Sequence, residues 1–84
     1  MLTVYTKNNC SFCMLAKNLL KKKEIAFEEV NVEHDEDSKM FLISQGHRTM
    51  PQIYDGDELF VEGGYTGLME KLEMQVDTTQ LGTL

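Results

Sequence analysis

The first twenty residues change their hydrophobic rhythm at a pair of cysteines, and that change dictates a strand followed at once by a helix. Leu2-Thr3-Val4-Tyr5-Thr6 alternates and is rich in β-branched and aromatic residues, the pattern of a half-buried strand. The polar stretch Lys7-Asn8-Asn9 intervenes. From Phe12 the apolar positions fall at Phe12, Leu15, Ala16, Leu19 and Leu20, spaced as one face of a helix. Cys10 therefore sits at the helix N-terminus and Cys13 one turn in. The run Lys21-Lys22-Lys23 complements the negative end of the helix dipole, and the helix is expected to stop near Glu24.

The stretch Ala26-Phe27-Glu28-Glu29-Val30-Asn31-Val32 reads as a second strand, and a helix joining two such strands makes a right-handed βαβ unit with parallel strands. The acidic segment Glu33-His34-Asp35-Glu36-Asp37 suits the start of a second helix, with Asp35 as its N-cap, better than a metal site. That helix is expected over 36–45, burying Met40, Phe41 and Ile43 and stopping at Gly46. His34 and His47 have no partner cluster and are expected at the surface. Gln52-Ile53-Tyr54 and Glu58-Leu59-Phe60-Val61, joined by Asp55-Gly56-Asp57, read as a β-hairpin that ends at Gly63-Gly64. Leu68, Met69, Leu72 and Val76 recur at helical spacing and predict a third helix.

The order is β-α-β-α-β-β-α, an α/β chain with a four-stranded mixed sheet flanked by three helices, which is the minimal thioredoxin-like fold. With 84 residues there is material for one core and not for two, so the expected division is a single domain over 1–76 and a loose tail over 77–84. No apolar run is long enough to cross a bilayer. The N-terminus shows no basic leader with a cleavable apolar stretch, which predicts a cytoplasmic chain. A net charge of -6 argues against general affinity for nucleic acid. No membrane partner is expected either, and the chain is expected to be a monomer.

There are only two cysteines, three positions apart, so a bridge between them closes too short a loop to restrict the unfolded chain much. Its value is chemical, in cycling between dithiol and disulfide. Cys-x-x-Cys alone is a weak signal, because half of a zinc site has the same spacing. Here there is no second pair, and the motif lies between a strand and a helix, where a redox dithiol belongs. Exchange needs a thiolate, while a free cysteine has a pKa of about 8.5. The helix N-terminus and the charge of Lys7 favour the thiolate at Cys10, whereas Cys13 is deeper. Cys10 is thus expected to attack and Cys13 to resolve.

Three segments in this order, Tyr5-Thr6-Lys7-Asn8-Asn9-Cys10-Ser11-Phe12-Cys13, Thr49-Met50-Pro51 and Gly63-Gly64-Tyr65-Thr66, resemble the glutaredoxin family over residues 1–74. The resemblance implies a glutathione-dependent thiol–disulfide oxidoreductase that reduces protein disulfides or glutathione mixed disulfides, ribonucleotide reductase being one protein partner. It implies a cis Pro51 facing the dithiol, and glutathione as reductant with no resident metal. Lys7 and Arg48 would meet the glycine carboxylate of glutathione, the Met50 backbone its cysteinyl part, and Thr66 with the Gly64-Tyr65 backbone its γ-glutamyl carboxylate. Phe12, Thr49 and Pro51 complete that binding set.

Two departures stand out. The family's dithiol is usually Cys-Pro-Tyr-Cys, and here Ser11 and Phe12 take the middle positions. The family commonly has an Asp for the γ-glutamyl ammonium where this chain has Gly67, which implies weaker glutathione binding. Two alternatives stay open: a dimeric [2Fe-2S] carrier ligated by Cys10 and glutathione, suggested by Ser11, and a thioredoxin-like electron donor reduced by a flavoprotein reductase, suggested by Gly67.

Overall fold

Leu2, Val4 and Thr6 are buried while Thr3 and Tyr5 are half-buried, so the strand β1 (Leu2–Thr6) is covered on both faces. The computed structural model describes residues 1–74, and β1 is the strand around which it is built. β2 (Phe27–Asn31) pairs with it in parallel and β3 (Gln52–Asp55) antiparallel, with β4 (Glu58–Leu59) outside β3. The order is β2-β1-β3-β4. Val4 lies opposite Glu29 across one seam and Ile53 across the other. The hairpin between β3 and β4 turns on Gly56-Asp57, and its second strand is shorter than expected, with Phe60 keeping a single bond from its N–H to the Ile53 carbonyl at 2.9 Å and Val61 outside the ladder.

Helices α1 (Ser11–Lys22) and α3 (Gly64–Met69) cover one face of this sheet, and α2 (Glu36–Ser44) covers the other. Three helices on a four-stranded mixed sheet make the thioredoxin-like fold expected from the element order. On the first face Leu20, Ile53 and Leu68 are wholly buried with Val4 and Ala16. Each large aliphatic there stabilises the fold by about 1.5–3 kcal/mol relative to exposure. On the second face Leu42 and Val32 enclose Tyr54, whose ring meets Tyr5 and Phe41 edge-on at centroid distances of 5.6 and 5.3 Å. Burial pushes the Tyr54 hydroxyl above its ordinary range, with Tyr5 adding to it. Tyr5 itself is raised by burial and by the charges of Asp35, Asp57 and Glu28.

Two helix faces differ from the periodicity. In α1 the inward residues are Cys13, Ala16, Leu19 and Leu20, whereas Phe12 and Leu15 are 58% and 43% exposed. In α2 only Leu42 is buried and Phe41 half-buried, and Met40 and Ile43 are exposed. Four consecutive apolar residues spread over about 300° of the helix circumference, so one sheet cannot accept them all. Asp35 caps α2 as expected, accepting from the Ser38 N–H at 3.3 Å, and Gly46 follows its end.

The α1 terminus is closed by Glu24 at φ 57, with the Ile25 N–H on the Leu20 carbonyl at 2.9 Å and the Glu24 N–H on the Lys21 carbonyl at 3.0 Å. This is a Schellman closure made without glycine. α3 runs on through a wider π turn, Glu70–Met74. The expected Val76 contact, the domain boundary at 76 and the tail over 77–84 lie outside the described residues.

Candidate active site

Cys10 is the N-cap of α1, with extended backbone angles, and its Sγ accepts from the Cys13 N–H at 3.2 Å. The capping role that serine or aspartate usually fills is therefore taken by sulfur, which satisfies one of the free amides of the first helical turn. Cys10 and Cys13 are joined as a disulfide with Cα atoms 5.2 Å apart. Cys13 is buried at 2% exposure while Cys10 is half-buried, which gives an outer and an inner sulfur.

The loop that delivers Cys10 is fastened by groups the sequence did not single out. The Asn8 N–H donates to the Glu33 carboxylate at 2.6 Å, and the Asn31 amide donates to Asn8 Oδ1 at 2.9 Å. Asn31 also caps the 3₁₀ turn Val32–His34 through the Glu33 N–H. Below the loop, Thr6 is buried and donates to Glu29 at 2.9 Å, and Lys17 pairs with the same carboxylate at 3.0 Å. Burial alone would raise Glu29. The hydrogen bonds from Lys17 and Thr6, with the charges of Lys17 and Lys21, outweigh it and hold the carboxyl below its ordinary range. One acid thus ties α1, β1 and β2 together beneath the dithiol.

Opposite Cys10 runs 49–52, with the Met50-Pro51 peptide bond cis. The Met50 carbonyl oxygen is 3.8 Å from Cys10 Sγ, a contact rather than a hydrogen bond, because a disulfide sulfur carries no proton. No partner for the Met50 N–H is present among the described residues. Gln52 is buried and donates to the Thr49 carbonyl at 2.8 Å, which holds the loop closed.

Of the expected site residues, Phe12, Thr49, Met50, Pro51, Gly64, Tyr65 and Thr66 line one groove of about 470 Å³. Phe12 and Tyr65 face each other across its mouth with ring centroids 6.2 Å apart. Lys7 and Arg48 do not line this groove. They lie in a second pocket of about 740 Å³ on the α2 side, and Met50 borders both. His47, expected as a plain surface residue, also borders both, and it is half-buried with Nε2 2.7 Å from the Tyr54 hydroxyl. Among the described residues Glu62 is the one acid on the groove wall.

Two glycines define the groove's far side by close packing. A Cβ on Gly64 would sit 2.8 Å from the Pro51 carbonyl oxygen, so Gly64 lets α3 begin against the cis-proline loop. A Cβ on Gly67 would overlap the Glu62 carbonyl oxygen outright. No side chain fits at Gly67, which accounts for the missing acid there. Among the described residues no three or more His, Cys, Asp or Glu groups converge on a metal position, and no helix is long and apolar enough to cross a membrane.

Comparison with known proteins places this geometry. The glutaredoxin family model matches residues 2–60. The glutaredoxin-like protein NrdH of Lactococcus lactis subsp. lactis is 40% identical over 60 residues, covering 71% of this chain and 83% of that protein. Glutaredoxin 1 of Rickettsia bellii is 38% identical over 56 residues, covering 61% of this chain and 57% of that one. Among solved structures, the glutaredoxin-like NrdH-redoxin of Escherichia coli, described as having a thioredoxin-like activity profile, superposes with a TM-score of 0.72 at 27% identity. The match covers 86% of this chain and 93% of that chain.

Proposed function

The chain belongs to the glutaredoxin family of thiol–disulfide oxidoreductases, and we propose that it is a dithiol electron donor to protein disulfides, recharged by a flavoprotein reductase. The Cys10 thiolate attacks one sulfur of the substrate disulfide, forming a mixed disulfide and releasing the first substrate thiolate, which takes up a proton. The Cys13 thiol then loses its proton and attacks Cys10 Sγ, releasing the second substrate thiol and closing the Cys10–Cys13 bridge. Two electrons and two protons pass to the substrate. The bridged state described above is the oxidised end of that cycle.

The local geometry supports these roles. Cys10 is the more accessible sulfur, and the Cys13 N–H and the helix N-terminus favour negative charge on it. Cys13 is already within bonding reach. A substrate segment passing Cys10 would meet the unpaired Met50 N–H, as in strand addition. Ribonucleotide reductase, which the family resemblance implies as a partner, is one disulfide-bearing protein of the class that such an edge accepts.

The observation that carries the choice of reductant is Gly67. An acid at that position would hold the γ-glutamyl ammonium of glutathione, and the Glu62 carbonyl leaves no room for one. The relationship to the Escherichia coli protein with a thioredoxin-like activity profile supports the same choice. Glutathione as reductant is the second reading, favoured by the gathering of Thr49, Met50, Pro51, Gly64, Tyr65 and Thr66 in one groove with Lys7 and Arg48 across Met50. In that reading Glu62 must take the ammonium.

The deciding assay follows NADPH oxidation with insulin as the disulfide substrate, coupled either to thioredoxin reductase or to glutathione with glutathione reductase. The reductase-coupled rate is expected to exceed the glutathione-coupled rate by at least tenfold. A glutathione-coupled rate equal or greater, falling in Glu62→Gln, would establish the second reading instead.

A further inference from the structure

The pocket on the α2 side of Met50 is floored by Val32, Leu42, Ile43 and Met50 and rimmed by Lys7, Lys39 and Arg48. In a chain with a net charge of -6 and only eight lysines and arginines, three of them meet at one pocket. None of the three side chains forms an ion pair or hydrogen bond among the described residues, whereas Lys17 is paired with Glu29 and Lys71 lies over the Phe60 ring. Glu33, the only acid on the rim among the described residues, is engaged by the Asn8 N–H. The floor is also unusual, for Ile43 lies on a helix that was expected to bury it and is 54% exposed. Uncommitted cations around an apolar floor on which Ile43 is exposed and Met50 half-buried suit an occupant that carries both carboxylates and an apolar group.

Met50 supplies the connection to the dithiol. Its carbonyl is 3.8 Å from Cys10 Sγ, and its side of the loop opens into this pocket. We infer that the pocket docks an acidic-apolar segment of the disulfide-bearing protein, lying within about four residues of its cystine, an extended span of ~13 Å. The inference rests on the protein-disulfide reading proposed above and names the charge of the partner it selects. Lys39 distinguishes it from glutathione binding, because Lys39 is not among the residues expected to hold glutathione.

Two synthetic peptide disulfides test it, identical around the cystine but flanked by Glu-Asp-Leu in one and Lys-Lys-Leu in the other. At ~20 mM salt the reduced wild-type protein is expected to reduce the acidic peptide with kcat/KM about three- to tenfold higher, the preference shrinking in 0.5 M salt. Lys39→Glu and the milder Lys39→Gln should lower that ratio, the first to about one. Lys21→Glu makes the same change in net charge at the far end of α1, about 16 Å from Cys10 along the helix, and should leave the ratio near the wild-type value. Equal rates for the two peptides with wild type would overturn the docking pocket while leaving disulfide reduction intact. Loss of the preference in Lys21→Glu as large as in Lys39→Glu would overturn it too, by showing an effect of net charge alone. Reduction of neither peptide would overturn the disulfide-donor reading, and the pocket's role with it.

Discussion

A single residue can bear on what a site accepts without carrying a side chain, and the proposed choice of reductant rests on one such residue, Gly67. Seen in the sequence, it is an absent acid that substitution should restore. In the structure the Glu62 carbonyl occupies the space that any side chain would need. Gly67→Ala is therefore expected to cost about 1–3 kcal/mol through forced backbone movement, and Gly67→Asp no less. Chemical denaturation checks this, and wild-type stability in Gly67→Asp together with tighter glutathione binding would contradict it. Glu29 makes a second prediction at this scale. A carboxyl held below its ordinary range contributes stability that is present above the unfolded-state pKa and lost as the pH falls through the folded-state value. The advantage of wild type over Glu29→Gln should thus be largest at neutral pH and vanish on acidification. Its side chain is 40% exposed, so the advantage should stay below about 1 kcal/mol. An advantage that grows on acidification would contradict the assignment.

At the scale of elements, the order of strands and helices was legible because most elements have a period of their own, and α2, which has none, is marked by its Asp35 cap and Gly46 stop. The faces were less so. Cys13 was expected to be deep and is, but the reading of α1 also set Phe12 and Leu15 on the buried face, whereas the inward face runs through Cys13 and Phe12 stands out beside Tyr65. The run Met40-Phe41-Leu42-Ile43 has no period at all, and only the docking of α2 on Tyr54 selects Leu42. The stop after α1 was placed correctly without a glycine to mark it. There Glu24 adopts φ 57, a conformation that costs a side chain about 1–2 kcal/mol. Glu24→Gly should accordingly raise stability by about 0.5 kcal/mol once the entropy of glycine is counted. A thermal or denaturant midpoint lower than that of wild type would show that the Glu24 side chain contributes more than its strain costs.

For the molecule as a whole, the dithiol was visible in sequence because sulfur spacing is a local signal, and the cis-proline loop was expected from the family resemblance. The division between groove and cationic pocket was not, since Lys7, Lys39 and Arg48 come from three separate segments that only the fold assembles. His47 escaped for the same reason, its partner Tyr54 lying on another element. The cycle proposed above unites these parts by having the outer sulfur attack and the inner one resolve. The direct test incubates reduced Cys13→Ser with an excess of a peptide disulfide and reads the intact mass, followed by digestion to locate the adduct. The account predicts one half-peptide per chain, held on Cys10, and no adduct on Cys10→Ser under the same conditions. A stable adduct on Cys13 in Cys10→Ser, with none on Cys10 in Cys13→Ser, would reverse the roles and contradict the account.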